Sequence, residues 1–143
     1  MVIGEEIIVT KGVEALINWF GKKKEDKQII YEILISFKIS LNSILLHMDL
    51  CKEFGGIKYT KLRFYLPNDI ENLNQFLIKY QTKLDNTLYT ELYAFVKYLV
   101  EYNHIINSLH LGMGNTLDEY ETTIKTSIDK YVSQIDTLIK ELE

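Results

Sequence analysis

Residues 30–51 read IYEILISFKISLNSILLHMDLC. Apolar side chains recur at Ile30, Leu34, Phe37, Leu41, Ile44, Met48 and Cys51, with spacings that alternate four and three. An α-helix turns once every 3.6 residues, so this row runs along one side of a helix. It is the pattern of helices that pack side by side at a shallow angle. Ile29, Ile33 and Leu45 widen the row beyond a two-stranded seam, as in the core helix of a bundle. The spacing predicts a helix over residues 25–54, stopped by Gly55 and Gly56.

A second row of the same kind follows downstream: Leu88, Leu92, Phe95, Leu99, Tyr102, Ile106 and Leu109. Before it, Ile70, Leu73, Leu77, Tyr80 and Leu84 mark another helix. From Leu84 to Leu88 to Leu92 the spacing is four and four, which shifts the phase of the row. Asp85, Asn86 and Thr87 are weak helix formers at that point, so a break is expected there and two helices rather than one. The last helix is expected over 117–142, with Leu117, Tyr120, Ile124, Ile128, Tyr131, Ile135, Leu138 and Leu142 on its inner side. Thr116 and Glu119 have the spacing of a capping box at its start. The turn at 112–115 is short, which predicts that the helices on either side of it are neighbours.

Two segments read differently. In 57–67, Leu62, Phe64 and Leu66 alternate with Lys61, Arg63 and Tyr65, the period of an extended stretch. Pro67 disfavours the helical region at Leu66, and Asn68 or Asp69 is expected to cap the next helix. This connection is expected to cross an end of the bundle. Residues 5–20 predict a shorter N-terminal helix whose apolar side chains, including Ile8, Val13, Leu16, Trp19 and Phe20, cover more than half of its circumference. Gly21 ends it, and Lys22, Lys23 and Lys24 follow.

The fold class is therefore all-α: an antiparallel bundle of three to four long helices with a shorter N-terminal helix. The whole chain, 1–143, is expected to form one domain, with 1–24 as a separate docking helix. Ile8, Val13, Leu16, Trp19 and Phe20 with Lys22, Lys23 and Lys24 are the expected interaction residues. Three roles stay open for them: packing on the bundle, docking on another chain, or lying in an anionic membrane surface with the lysines on lipid.

Charge and composition narrow the chemistry. The net charge is −4, and residues 116–143 alone carry seven acids and three bases. An acidic chain with one arginine, Arg63, is a poor partner for duplex nucleic acid, whose binding rests on phosphate neutralisation. Lys58, Tyr59, Lys61, Arg63, Phe64 and Tyr65 interleave basic and aromatic residues as single-strand binders do, but the run is short and stands alone. The single cysteine, Cys51, excludes an internal disulfide, and the expected compartment is reducing and cytoplasmic, with peripheral membrane contact as the variant. No signal peptide and no bilayer-spanning run is expected, because Glu32 and Lys38 interrupt the most apolar stretch.

Catalytic patterns are missing from the sequence. Glu101 and His104 form one Glu-x-x-His pair, whereas di-iron bundles need two such pairs and further glutamates. His47, Asp49 and Cys51 are close in sequence, but on a helix only the outer two share a side. Arg63 is followed by no histidine at the spacing used by helical ribonucleases of the HEPN type. No glycine-rich phosphate loop occurs. Tyr89, Tyr93, Tyr98 and Tyr102 place four phenols on one helix, able to line a pocket or an interface. The expected function is thus a non-enzymatic interaction or assembly module, oligomeric and without cofactor. A membrane-associated regulatory domain using residues 5–24 and a bundle that binds a small ligand or a metal are the alternatives.

Overall fold

The computed structural model describes residues 15–16, 18–20, 27–54, 58–108 and 114–142, with the backbone alone at 114–116. Within them lie four long helices: α1 (Lys27–Lys52), α2 (Lys58–Lys79), α3 (Asn86–Asn107) and α4 (Gly114–Leu142). Residues 15–16 and 18–20 are helical as well, and no strand occurs among the described residues. The protein is an all-α bundle.

The helices run alternately up and down. Phe37 of α1 stacks on Phe76 of α2, while His47 stacks on Tyr65 further along, so α1 and α2 are antiparallel. Lys38 pairs with Asp136 and Asp49 with Lys125, which makes α4 antiparallel to α1 on its other side. Arg63 reaches the Ile106 carbonyl, joining the start of α2 to the end of α3. The last helix packs more closely against α1 than against α3, its neighbour in sequence. α3 and α4 are in contact, as expected of neighbours in sequence, but the larger interface of α4 is formed with the first long helix.

The seams predicted from spacing are the core. All seven seam residues of α1 are buried, with Leu34, Leu41, Ile44 and Cys51 wholly inaccessible. Leu88, Leu92, Phe95, Leu99, Tyr102 and Ile106 of α3 are buried likewise, as are Leu117, Ile124, Ile128, Tyr131, Ile135 and Leu138 of α4. Leu109 lies outside the described residues. Tyr131 sits at the middle, with Phe37 and Phe95 edge-on to it at 5.4 and 5.8 Å. Fully burying side chains of this size stabilises by about 1.5–3 kcal/mol each, so these rows supply most of the drive for folding.

The segment expected to be extended is helical. α2 begins at Lys58 and passes through Pro67 without ending. Leu62 and Leu66 are fully buried, whereas Phe64, the middle member of the supposed alternation, is 75% exposed. The operative row is Leu62, Leu66, Asp69, Leu73 and Phe76, spaced four and three. Pro67 lies on the exposed side, so the bond its missing N–H would have made to the Arg63 carbonyl is lost where water can replace it. Burial of Leu62 and Leu66 outweighs that loss and the bias Pro67 puts on Leu66. Asp69 is accordingly no N-cap; it lies in mid-helix at 1% exposure.

The break in the following stretch comes slightly earlier than the weak helix formers indicated. α2 ends at Lys79, and residues 80–84 form turns closed by Lys83 N–H to Tyr80 O at 2.9 Å and Leu84 N–H to Tyr80 O at 3.0 Å. Asp85, with φ −59° and ψ 144°, caps α3, its carboxylate accepting from the Thr87 N–H at 3.2 Å. The Trp19 indole N–H donates to the Lys83 carbonyl at 3.0 Å and so fastens this turn. α4 starts at Gly114, ahead of the predicted cap at Thr116, whose side chain lies outside the described residues.

Candidate interaction face and buried polar clusters

α1 has a second apolar row in addition to its core seam. Tyr31, Ile35, Ile39, Leu46 and Leu50 follow one another along the helix, with Asn42 in the middle and Phe54 in the turn beyond its end. At 3.6 residues per turn this row points away from Leu34, Leu41 and Met48. Ile39 is 65% and Leu46 62% exposed; Tyr31, Leu50 and Phe54 are also exposed, and Ile35 is half-buried. Isolated surface leucines are ordinary, but a contiguous row along one helix is the signature of a contact site.

The row is framed by polar contacts. On the α2 side, the buried Asp69 carboxylate accepts from Ser43 Oγ at 2.7 Å through one oxygen and from His47 Nδ1 at 2.5 Å through the other. Tyr65 stacks over the His47 ring at 4.5 Å. A carboxylate in an apolar seam is tolerated when its oxygens are bonded, and here each has a donor. On the α4 side stand the Lys38–Asp136 pair at 2.6 Å and the Asp49–Lys125 pair at 3.3 Å.

A second buried cluster ties three helices together at the end of the bundle where α2 and α4 begin. Glu121 of α4 is buried and accepts from Lys58 Nζ at 2.5 Å, Tyr59 OH at 2.7 Å and Tyr102 OH at 3.1 Å. Burial, then the charge of Glu121, pushes the Tyr102 phenol far above its ordinary value; Tyr59 is raised by burial and by its bond to the same carboxylate. Cys51 nearby is buried, and burial pushes its thiol up against the opposing pull of Lys58 and Lys61, so the nucleophilic thiolate is disfavoured. Arg63 Nη2 donates to the Ile106 carbonyl at 3.0 Å, satisfying one of the open carbonyls at the end of α3.

The residues singled out in the sequence fall into place as follows. Leu16, Trp19 and Phe20, for which packing on the bundle, docking on another chain and a membrane surface all stood open, are buried in the core together with Ala15, and the Trp19 indole N–H is bonded to the Lys83 carbonyl. Ile8, Val13, Lys22, Lys23 and Lys24 lie outside the described residues. Glu101 and His104 are exposed on the wall of an open groove between α2 and α3, alongside Ile70, Glu71 and Tyr93. Glu101 accepts from Tyr120 OH at 2.5 Å. Among the described residues, no three His, Cys, Asp or Glu side chains converge as metal ligands.

The mixed basic and aromatic run is built into the fold. Lys58 and Tyr59 serve Glu121, Arg63 serves α3, Tyr65 covers His47, and Lys61 lies 5.3 Å over the Phe54 ring. The four tyrosines of α3 fall into two pairs: Tyr98 and Tyr102 both stack on Tyr120, at 5.0 and 6.0 Å, with Tyr102 also bonded to Glu121, and Tyr89 stacks on Tyr93, which opens onto the groove. α1 is by length and composition apolar enough to cross a membrane, yet its seam is the centre of the bundle core.

Sequence reasoning missed the outer row of α1. Its signal was present in the opening stretch, where apolar residues recur at Tyr31, Ile35, Ile39, Leu46 and Leu50 as well as along the seam. Compared with known family models, curated proteins and solved structures, the chain matches none of them.

Proposed function

We propose that the protein is a non-enzymatic assembly module that engages a protein partner through the outward face of α1. The observation that carries this reading is the row Tyr31, Ile39, Leu46 and Leu50, exposed on the opposite side of the helix from the core seam, with Ile35 half-buried among them. Burying such a row against a complementary surface removes apolar area from water at about 25 cal/mol per Å². The polar clusters support the same reading. Glu121 and Asp69 have their donors within the bundle, where they hold helices together, and the Cys51 thiol is buried.

The test is site-specific photo-crosslinking in cells. A photo-activatable amino acid is placed at position 46, and in a control at position 72, an exposed asparagine on α2. The expected result is a discrete protein adduct from position 46 and none from position 72. Adducts from neither position, or equally from both, would contradict the reading.

A further inference from the structure

Ser43 and His47 stand one turn apart on the side of α1 that faces α2, and Asp69 comes to them from the core row of α2. An apolar residue at position 69 would need no partner, whereas the carboxylate there, 1% exposed, depends on the donors it finds. It takes the Ser43 hydroxyl at 2.7 Å through one oxygen and His47 Nδ1 at 2.5 Å through the other. An ionised carboxylate only accepts, so the ring proton is on Nδ1 and, in the neutral ring, Nε2 carries the free lone pair. Tyr65, stacked on the ring at 4.5 Å, fixes its plane. The His47 side chain is 22% exposed, and its Nε2 has no hydrogen-bond partner among the described residues.

Together these features make Nε2 a nucleophile. The tautomer is fixed, and the carboxylate behind the ring offsets the positive charge that an imidazole gains when it attacks. The surroundings narrow what it can attack. With no side chain bonded to Nε2 among the described residues, a leaving group has to depart without a proton from the protein. Acyl phosphates meet that condition, because their carboxylate leaves as a stable anion. A cation for the phosphoryl group stands on the same side of the bundle. Lys61, one turn before Tyr65 on α2, lies 5.3 Å over the Phe54 ring, and its charge reaches the Cys51 thiol, one turn beyond His47 on α1. Lys61 has no ion-pair partner among the described residues.

We infer that His47 Nε2 is a phosphoryl acceptor, loaded by an acyl phosphate. The Nε2 lone pair attacks phosphorus, and an N–P bond forms as the P–O bond to the acyl oxygen breaks. The carboxylate leaves with the electron pair of that bond. The proton stays on Nδ1, donated to Asp69, whose negative charge balances that of the ring. His47 takes up one phosphoryl group per chain and is restored when the group passes to water or to a second acceptor. The site is thus a carrier, compatible with a module that catalyses nothing itself, and the inference does not depend on what covers the outer row of α1.

The test uses the purified full chain and acetyl phosphate alone. Phosphorus NMR with peptide mapping is expected to find a phosphoryl group on Nε2 of His47, stable in alkali and lost in acid. His104, exposed on α3, is the comparison within the same chain and is expected to be labelled far more slowly. Asp69→Asn is expected to slow the labelling of His47 by about tenfold or more, the scale on which the carboxylate partner of an imidazole matters, and to leave His104 unchanged. Ser43→Ala keeps the carboxylate on His47 and is expected to label as the native chain does. In the native chain, no label on His47, a label on Nδ1 instead of Nε2, or equal labelling of His47 and His104 would overturn the inference without any variant having to fold. A folded Asp69→Asn chain that labels at the native rate would overturn it as well.

Discussion

The two sides of α1 are made of the same chemistry and stand in opposite surroundings. Leu41 is wholly inaccessible and Leu46 mostly exposed; Phe37 lies between Phe76 and Tyr131, while Tyr31 meets water. What separates them is angular position, because a helix turns about 100° per residue and α2 and α4 flank the seam without reaching round to the far side. The inner row holds the molecule together. The outer row is exposed, and we propose that another molecule covers it. A helix with two apolar rows is overbuilt for a single bundle, and the surplus is the functional lead.

The sharpest way to break the comparison is to truncate matched residues on the two sides. Phe37→Ala is expected to cost about 3–5 kcal/mol in chemical denaturation, through lost burial and the cavity left beside Tyr131. Ile39→Ala is expected to change the stability of the monomer by no more than about 0.5 kcal/mol. Similar losses from both would mean that the outer row also supports the fold.

Polar packing gives the next effect in size. Removing the Glu121 carboxylate by Glu121→Ala leaves Lys58 without its counter-charge and two phenols without their acceptor. A loss of about 3 kcal/mol is expected, as when one partner of a buried pair is deleted. Glu32→Ala, at the exposed edge of the outer row, is the matched control, and thermal melts of the two should differ clearly.

Alkaline titration tests the same cluster. Tyr59, Tyr102 and Tyr131 all have folded values raised above the ordinary 10.0. The native state then keeps protons that the unfolded state gives up, so stability is complete below pH 10 and falls as pH rises beyond it. Tyr102→Phe is expected to flatten that fall in denaturant titrations at increasing pH; an unchanged slope would contradict the placement of the phenol on Glu121.

The smallest effect concerns the core itself. The Tyr131 hydroxyl is buried and has no hydrogen-bond partner among the described residues. Tyr131→Phe keeps the ring contacts with Phe37 and Phe95 and removes a desolvated polar group, so the melt is expected to be unchanged or stabilised by up to about 1 kcal/mol.

Most of the architecture was legible because it follows one rule. Side chains spaced three and four apart become one side of a helix; the row through Leu34 is buried as read, and so are those through Leu99 and Ile128 apart from Leu109, outside the described residues, and the half-buried Tyr120 and Leu142. Where the rule was missed, in α2, a polar residue stood in the row. Asp69 interrupts Leu66 and Leu73, and its burial depends on Ser43 and His47, residues of another helix that no local pattern reveals. Pro67 pointed the same wrong way, since its cost depends on which side of the helix it occupies. The Glu121 cluster was hidden for a related reason: Lys58, Tyr59 and Tyr102 are brought to it from two other helices. The candidate face was readable in principle, because both rows of α1 are periodic, but sequence alone does not say which row the neighbouring helices cover. Trp19 and Phe20 illustrate that limit from the other direction, being apolar enough to dock elsewhere and yet used inside.

The account joins a fold held by the inner row to an assembly that we propose is held by the outer one. The direct measurement is photo-crosslinking in cells from position 46, beside the same position in a chain carrying Ile39→Glu, a change at an exposed site. The account predicts a discrete protein adduct from position 46 that Ile39→Glu removes, while the melting temperature of the purified chain stays unchanged. No adduct from position 46, or one indifferent to Ile39→Glu, would contradict it.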